Sequence, residues 1–471
     1  MSLFTSFKYQ NNNAISVVTI YFGLRAGSII LLTILLLYSG SAPGQNVLSL
    51  KQAINSGFLK RKTIQSGKSD LIIMKLQTEA LYKKYLPQIS VEYNYLYNPI
   101  LQTSVLPIGV FNSAYPADAK MNLRFGTTWS QTAGVTVLQP LIDFSIARRI
   151  NESKLQERIT AASQAQTEYE MAFSIAQTYI QIGLQESKIK SAIADTSRTF
   201  ISYLILNNKY NEKRLLKSDL NKSIINHNNA VEQLMDALSE MIEDKVYLLF
   251  LTGETAVEKT DFIISPSSGN PYNLTTSGLI SNPEAIPEFQ QLELESQLTS
   301  LKARSENTKQ LPTLSIKGFL GANQYTNKFD PIESNTWFGL SYIGLDLKLP
   351  LLFGESVKKN KQVLRIQSTQ FNQQKDDKSA IYAKDTYISK LKIARILLQL
   401  KTQEENLALS IESIAITQAR VTEGQESGST LNVDEASLQS LKAEYELTKM
   451  QLWNNYLNVL KTTGHLNILW K

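Results

Sequence analysis

Residues 86–91 read LPQISV and residues 311–316 read LPTLSI, so a Leu-Pro pair followed by alternating apolar residues occurs twice in the chain. A second pair of stretches, GVTVLQPL at 134–141 and GLDLKLPL at 344–351, also alternates and also ends beside a proline. Pro312 follows Pro87 by 225 residues, and Pro350 follows Pro140 by 210 residues. Similar stretches in the same order predict an internal duplication.

The four stretches predict one-faced β-strands. Apolar and polar residues alternate over 88–97, 133–140, 314–322 and 342–350, which is the period of a strand with one apolar face. About ten residues is also the length of a tilted strand that crosses a bilayer. Trp129, Trp337, Phe338 and the tyrosines are candidates for interfacial girdles. The alternative is a soluble β-sandwich, for which four strands are few.

Long helical tracts follow each strand pair. Gly183 is the only helix breaker between Pro140 and Gly253, and Gly354 is the only one between Pro350 and Gly424. Apolar residues step by three and four over 172–210 and again over 393–421, which predicts coiled-coil seams. In the first tract a second stripe, at 173–204, runs beside the seam. Two adjacent stripes predict a helix packed on both sides, as in a sheet or tube of helices.

Two polar segments interrupt these tracts. KYNEKRLLKSDLNKS at 209–223 and RVTEGQESGSTLNVDEAS at 420–437 lie at corresponding places in the two halves. They predict the turns of two helical hairpins. We expect Ser218 and Asp219 to cap the returning helix of the first hairpin by accepting backbone N–H bonds, with the Asp219 charge favoured by the helix dipole.

The amino-terminal segment predicts export. Arg25, the apolar run SIILLTILLLY at 28–38 and the small residues SGSAPGQ at 39–45 form a secretory signal cleaved near Gly44. The alternative is a membrane anchor over 14–38, which Arg25 interrupts. No later window predicts a membrane-spanning helix. Cysteine is absent, which excludes disulfides, thiolate metal sites, a thiol nucleophile and a lipidated amino-terminal cysteine.

The order of these features resembles the TolC-like outer membrane efflux proteins over roughly residues 48–466. The features are the Leu-Pro strand starts, the strand ends at Pro140 and Pro350, the Asn-Pro-Glu at 282–284 and the paired turns. The resemblance implies a mainly α fold with membrane β: a homotrimer whose twelve strands form one outer-membrane β-barrel, continuous with a periplasmic α-helical barrel. It also implies a passive exit duct in contact with outer membrane lipid. Such a duct serves tripartite efflux or type I secretion and docks onto an inner-membrane pump through a periplasmic adaptor.

The predicted organisation has four parts. They are a leader and signal peptide at 1–44, a first repeat at 45–252 with strand pair 88–140 and helical hairpin 144–250, a linker at 253–282, and a second repeat at 283–471 with strand pair 313–350 and helical hairpin 355–464.

The two turns depart from the family pattern. Lys213 stands where the first turn of the family has glycine, and the second turn, with Gly424 as its motif glycine, looks two residues longer. There Val421 and Glu426 replace a tyrosine and an arginine, so the usual gate pairing is not carried over. We nevertheless predict that both turns line the periplasmic mouth. Its candidate residues are Asp219, Asp434 and Glu435 as a cation-attracting acidic constriction, with Lys213, Arg214, Lys217 and Glu426 in ion pairs between subunits.

The other function classes have little support. His227 and His465 are the only histidines and lie far apart in sequence, which argues against a histidine metal site or catalytic triad. No glycine-rich phosphate loop is present, and the net charge of +6 is small and dispersed, which argues against nucleic acid binding. We expect no enzyme activity, metal or cofactor. The main alternative is an exported coiled-coil structural or envelope-spanning protein without transport activity. The cargo stays open among drugs, metal ions and secreted protein.

Overall fold

The computed structural model describes residues 46–108, 114, 116, 118–254, 262–264, 278–330, 337–351 and 354–471. The predicted signal peptide and most of the predicted linker therefore lie outside the described residues. The chain divides into a small unit, 1–47 with 261–263, and a large unit formed by the rest. The described part of the small unit belongs to two short paired strands, β1 (Asn46–Leu48) and β6 (Phe262–Ile264).

The two halves of the large unit share the order helix, strand pair, very long helix, shorter helix, and the first half has an additional helix and an additional strand pair. The first half contains α1 (Leu50–Lys60), α2 (Lys62–Tyr82), β2 (Gln88–Tyr97), β3 (Gln102–Leu106), β4 (Met121–Phe125), β5 (Trp129–Ile142), α3 (Phe144–Asn211) and α4 (Lys217–Thr252). The second half contains α5 (Pro287–Ser305), β7 (Thr313–Thr326), β8 (Trp337–Lys348), α6 (Gly354–Glu423) and α7 (Gly428–Thr463). Short 3₁₀ turns lie at Lys83–Tyr85, Pro283–Ala285, Glu306–Gln310 and Leu466–Leu469.

The strand pairs of the two halves join in one antiparallel sheet of order β2-β5-β7-β8. Strands β5 and β7 have 14 residues each, longer than the sequence predicts, and they pair with each other across the two repeats. β3 and β4 form a separate two-stranded hairpin, which the sequence analysis missed. Strands β2 and β8 are the edges of the four-stranded sheet.

One face of this sheet is mainly apolar and the other is mixed. Ile89 lies opposite Val137, Val137 opposite Gly318, and Gly318 opposite Ile343, and residues opposite each other in antiparallel strands share a face. The same face carries Val91, Leu320, Leu345 and Leu347. It is open in a single chain, since Val91 and Ile343 are each 82% exposed. The other face carries polar residues such as Ser90, Glu92, Asn94, Thr132, Asn323 and Asp346 together with the aromatic residues Phe319, Phe338 and Tyr342.

The long helices α3 and α6 contain 68 and 70 residues, roughly 100 Å each at about 1.5 Å per residue. Each turns back into a helix of 36 residues. These shorter helices end alike, at Gly253 and Gly464, both with φ of 80°. Such left-handed closure suits glycine, which has no β-carbon. Among the described helices none is long and apolar enough to cross a membrane.

The predicted seam of α3 is only half right. Its first part is buried, with Ile175, Tyr179 and Ile182 each at most 1% exposed. Beyond that point the expected seam residues Ile193 and Phe200 are exposed. The structure instead buries Gln185, Asp195, Thr199 and Ser202, because partners on other helices satisfy several of these polar groups.

Candidate functional site: the paired hairpin ends

The two hairpin turns have the same backbone geometry. Lys213 and Gly424 both adopt the left-handed conformation, with φ of 60° and 82°. The next amide donates back to the helix in each case, from Arg214 to the Lys209 carbonyl at 2.8 Å and from Gln425 to the Arg420 carbonyl at 2.9 Å. The returning helices begin four residues later, at 217 and 428. The first turn spans 212–216 and the second spans 424–427, so the prediction of a longer second turn is wrong.

The predicted cap of the first returning helix is also wrong. The N-cap of α4 is Leu216, whose side chain makes no capping bond, so Ser218 and Asp219 are the second and third residues of the helix. The chain enters the helix earlier than the polar residues suggest. Asp219 still lies in the first turn, where the helix dipole favours a carboxylate. In the second hairpin the N-cap, at the position equivalent to Leu216, is Ser427. Its side chain accepts a hydrogen bond from the Thr430 amide and so caps α7.

An apolar cluster joins the two hairpins near their turns. Its buried members are Leu206, Ile414, Val421, Leu431 and Leu438. Gly428 allows the close approach, since a β-carbon there would lie 2.7 Å from Leu206 Cδ2 and 2.9 Å from Leu215 Cδ1. The first hairpin and the second therefore pack as one body at this end.

Beside this cluster lies a group of charged and polar side chains that we call the charge network. Its members are Asp195, Arg198 and Ser202 of α3, Gln418 of α6, and Glu435 and Lys442 of α7. The Arg198 guanidinium contacts Asp195 Oδ1 at 2.9 Å and pairs with the Glu435 carboxylate.

Three further contacts complete the charge network. Lys442 Nζ lies 2.5 Å from Asp195 Oδ1. Ser202 Oγ donates to Glu435 Oε1 and accepts from Gln418 Nε2, both at 2.9 Å. Two cations and two carboxylates thus face one another, and they connect helices of both repeats.

The charge network corrects the prediction for Glu435. Glu435 is 1% exposed, and its carboxylate is paired with Arg198 inside the chain. A carboxylate so placed cannot line a channel, and the expectation that Glu435 forms part of an acidic constriction is wrong. The sequence spacing could not show this, because Arg198 lies 237 residues earlier in the chain.

Asp219 and Asp434 have partners outside the charge network. The Asp219 side chain is 15% exposed, with Lys222 Nζ at 3.9 Å, and its carbonyl accepts from Asn432 Nδ2 at 3.0 Å. Asp434 Oδ2 accepts from Thr417 Oγ1 at 2.8 Å. No group of three acidic, histidine or cysteine side chains in the described part of the chain could hold a metal ion.

Solved structures of outer membrane channels share this architecture. CusC, described through the formation of its transmembrane channel, matches with a TM-score of 0.69 at 12% identity, over 88% of this chain and 91% of that chain. VceC of Vibrio cholerae matches at 0.67 and 11%, over 88% and 96%. The channel OprN matches at 0.66 and 12%, over 88% and 90%. The chain has the TolC-like fold. No protein-family model and no curated protein matches it.

The charges exposed around the turns of this TolC-like chain are mostly basic. Lys213, Arg214, Lys217, Lys222 and Arg420 are exposed, against Glu212 and Glu423 among the carboxylates. The pairs within the chain are loose: Arg214 to Glu212 at 3.5 Å and Arg420 to Glu426 at 3.8 Å. Solvent-exposed pairs of this kind contribute little. The predicted ion pairs between subunits stay a prediction.

The two histidines of the TolC-like chain lie far from each other in the order of elements, His227 on α4 and His465 just after α7. His227 Nδ1 lies 3.2 Å from Thr199 Oγ1, and its ring packs 5.5 Å from the Phe200 ring. His465 Nδ1 lies 3.1 Å from Thr463 Oγ1. The first contact joins α4 to α3, and the second is local to the end of α7.

Proposed function

We propose that this chain is the outer membrane channel of a tripartite efflux or type I secretion system. The observation that carries the proposal is the open four-stranded sheet, which belongs to a chain whose fold matches outer membrane channels over 88% of its length. In this role the chain is a passive exit duct, and an inner-membrane pump reached through a periplasmic adaptor supplies the energy.

The sheet supports assembly as a homotrimer. Four strands cannot close on themselves, and unpaired strand edges are not tolerated in lipid. If β8 of one copy pairs with β2 of the next, three copies give a closed barrel of twelve strands. The apolar face with Val91, Leu320 and Ile343 then meets lipid, and the mixed face, which carries most of the polar residues, lines the lumen.

The helices support the same assembly. Exposed apolar residues form a stripe along the half of α3 that leads to the turn, at Ile193, Phe200, Ile201 and Leu204. Large exposed apolar stripes mark interaction surfaces. Contact between this stripe and a neighbouring copy extends the barrel as a tube of helices into the periplasm. An exported structural coiled coil would share the helices, yet it has no use for an amphipathic sheet with open edges.

Cysteine substitution tests the closure between copies, because the natural chain contains no cysteine. We expect Val91→Cys on β2, combined in turn with Ile343→Cys, Leu345→Cys and Leu347→Cys on β8, to give covalent trimers in the outer membrane fraction after mild oxidation. Each single-cysteine variant is the matched control. Recovery of the protein in the soluble periplasm would contradict the proposal, and so would monomers from every double-cysteine variant.

The hairpin ends are proposed to line the periplasmic mouth. Because the exposed charge there is mainly basic, we expect basic side chains to dominate ion selectivity. Lys213→Gln with Arg214→Gln should shift the reversal potential toward cation preference in planar bilayers. Asp219→Asn with Asp434→Asn should shift it the opposite way and by less. Equal reversal potentials in all three proteins would place the mouth elsewhere.

A further inference from the structure

An elongated groove lies between α3, α4 and α7, on the side of the charge network away from the turns. Its volume is about 540 Å³. It extends along residues 181–195, 233–244 and 439–450 of the three helices, or roughly 16 to 21 Å at about 1.5 Å per residue. Six carboxylates and two lysines line it, so its potential is negative.

Most of the carboxylates form a row on α4. Asp236, Glu240 and Asp244 follow one another at steps of four residues, which puts them on one helix face at intervals of about 6 Å. Glu243 lies beside Asp244, three residues after Glu240. Lys188 Nζ neutralises Glu240 at 2.6 Å. Burial, followed by the charges of Glu240 and Glu243, raises the pKa of Asp244 to about 6.

Helix α7 presents two polar atoms without partners to the same groove. Gln439 is 8% exposed, and its amide nitrogen is buried with no hydrogen-bond partner among the described residues. Glu446 Oε2 is likewise buried and unpartnered there, although Glu446 Oε1 lies 2.7 Å from Lys449 Nζ. Buried polar groups are nearly always hydrogen-bonded, and leaving one unpaired costs about 1–3 kcal/mol.

We propose that this groove binds a linear organic polycation, a chain of protonated amines separated by three or four methylenes. Such amines lie about one helical turn, or ~6 Å, apart and so match the carboxylate row of α4. Glu446 Oε2 accepts an N–H from the opposite side. Leu184, Leu447 and Met450 contact the methylenes. The proposal does not depend on the channel function.

Binding should weaken as the pH falls through about 6, because protonation of Asp244 removes a charge from the row. The other charged groups that line the groove are Lys188 and Asp195 on α3, Asp236, Glu240 and Glu243 on α4, and Lys442 and Glu446 on α7. Both lysines are already paired, with Glu240 and Asp195. The lysines are therefore not available to neutralise the other carboxylates of the groove.

Calorimetric titration of the purified full-length protein with spermidine tests the proposal. At pH 7.5 we expect saturable binding that Mg²⁺ at equal ionic strength does not reproduce. Glu243→Gln with Asp244→Asn should weaken binding at least tenfold, and Glu446→Gln should weaken it severalfold. The matched control is Glu405→Gln with Glu412→Gln, two exposed carboxylates of α6 outside the groove, and it should bind as the parent does.

Three results would overturn the proposal. They are the absence of saturable spermidine binding, equal binding of Mg²⁺, and equal losses in the groove and control variants. Each variant is first compared with the parent by circular dichroism. Asp244→Asn alone provides a second readout, because its affinity should change less between pH 7.5 and pH 5 than that of the parent. An unchanged pH profile would also count against the proposal.

Discussion

Glu435→Gln is the sharpest test of the charge network. The substitution keeps the shape of the side chain and removes one negative charge from a residue that is 1% exposed. Arg198 then shares Asp195 with Lys442, which leaves one buried positive charge uncompensated. Breaking a buried pair by removing one partner costs about 3–5 kcal/mol. We expect the lower end, about 3 kcal/mol, because Arg198 retains one carboxylate.

Hydrogen exchange measures this cost where it arises. Amides of α7 at 431–442 should exchange through local opening of the hairpin ends. A loss of about 3 kcal/mol corresponds to roughly a 150-fold faster exchange of those amides. Mass spectrometry of peptic fragments resolves the segment. Glu444→Gln on the same helix is the control, since Glu444 is exposed and its hydrogen bond from Gln403 can be kept by an amide.

A double variant separates the charge effect from a packing effect. Arg198→Met with Glu435→Met removes both charges and leaves Asp195 paired with Lys442. Replacing a buried pair by apolar residues is often close to neutral, so protection should return to within about 1 kcal/mol of the parent. Unchanged exchange in Glu435→Gln would refute the reasoning, and so would a double variant that exchanges faster than the single one.

Three further predictions concern stability. Lys213→Gly should stabilise the first turn by up to about 1 kcal/mol because it relieves left-handed strain, and Gly424→Ala should destabilise the second by about 1 kcal/mol; thermal unfolding compares them. Gly428→Ala should lower the melting temperature, since the hairpins must separate to admit a methyl group. The raised pKa of Asp244 means that the folded state holds this proton more tightly, so its contribution to stability grows as pH falls from about 6 toward 4. Asp244→Asn should therefore raise the melting temperature at pH 8 and have little effect at pH 4.

The strands and the long helices could be predicted because their signals are local. Alternation fixes the faces of 88–97 and 342–350, and the absence of helix breakers fixes the length of α3 and α6. The pairing of β5 with β7 has no such signal, since it depends on which edges meet after both repeats have formed. The short strands β3 and β4 were missed because five residues each give too brief an alternation.

The burial of polar residues on α3 could not be predicted from periodicity. The apolar spacing favoured Ile193 and Phe200, yet the chain buries Asp195 and Ser202 instead. Burial of a charge is tolerated only when partners satisfy it, and here the partners come from α6 and α7. The apolar residues are then left on the surface, where the proposed assembly would cover them.

The two hairpins differ in the chemical character of two pairs of equivalent positions. Equivalent positions lie 211 residues apart at both turns, so Arg198 corresponds to Leu409 and Glu435 corresponds to Ile224. Both counterparts are apolar and exposed, Leu409 at 64% and Ile224 at 37%. One copy of the hairpin contact is therefore ionic and lies inside the chain, and its counterpart is apolar and open. In the proposed trimer, contacts between copies at this level would then depend on apolar burial, which salt does not screen, more than on the ion pairs between subunits that the sequence suggested.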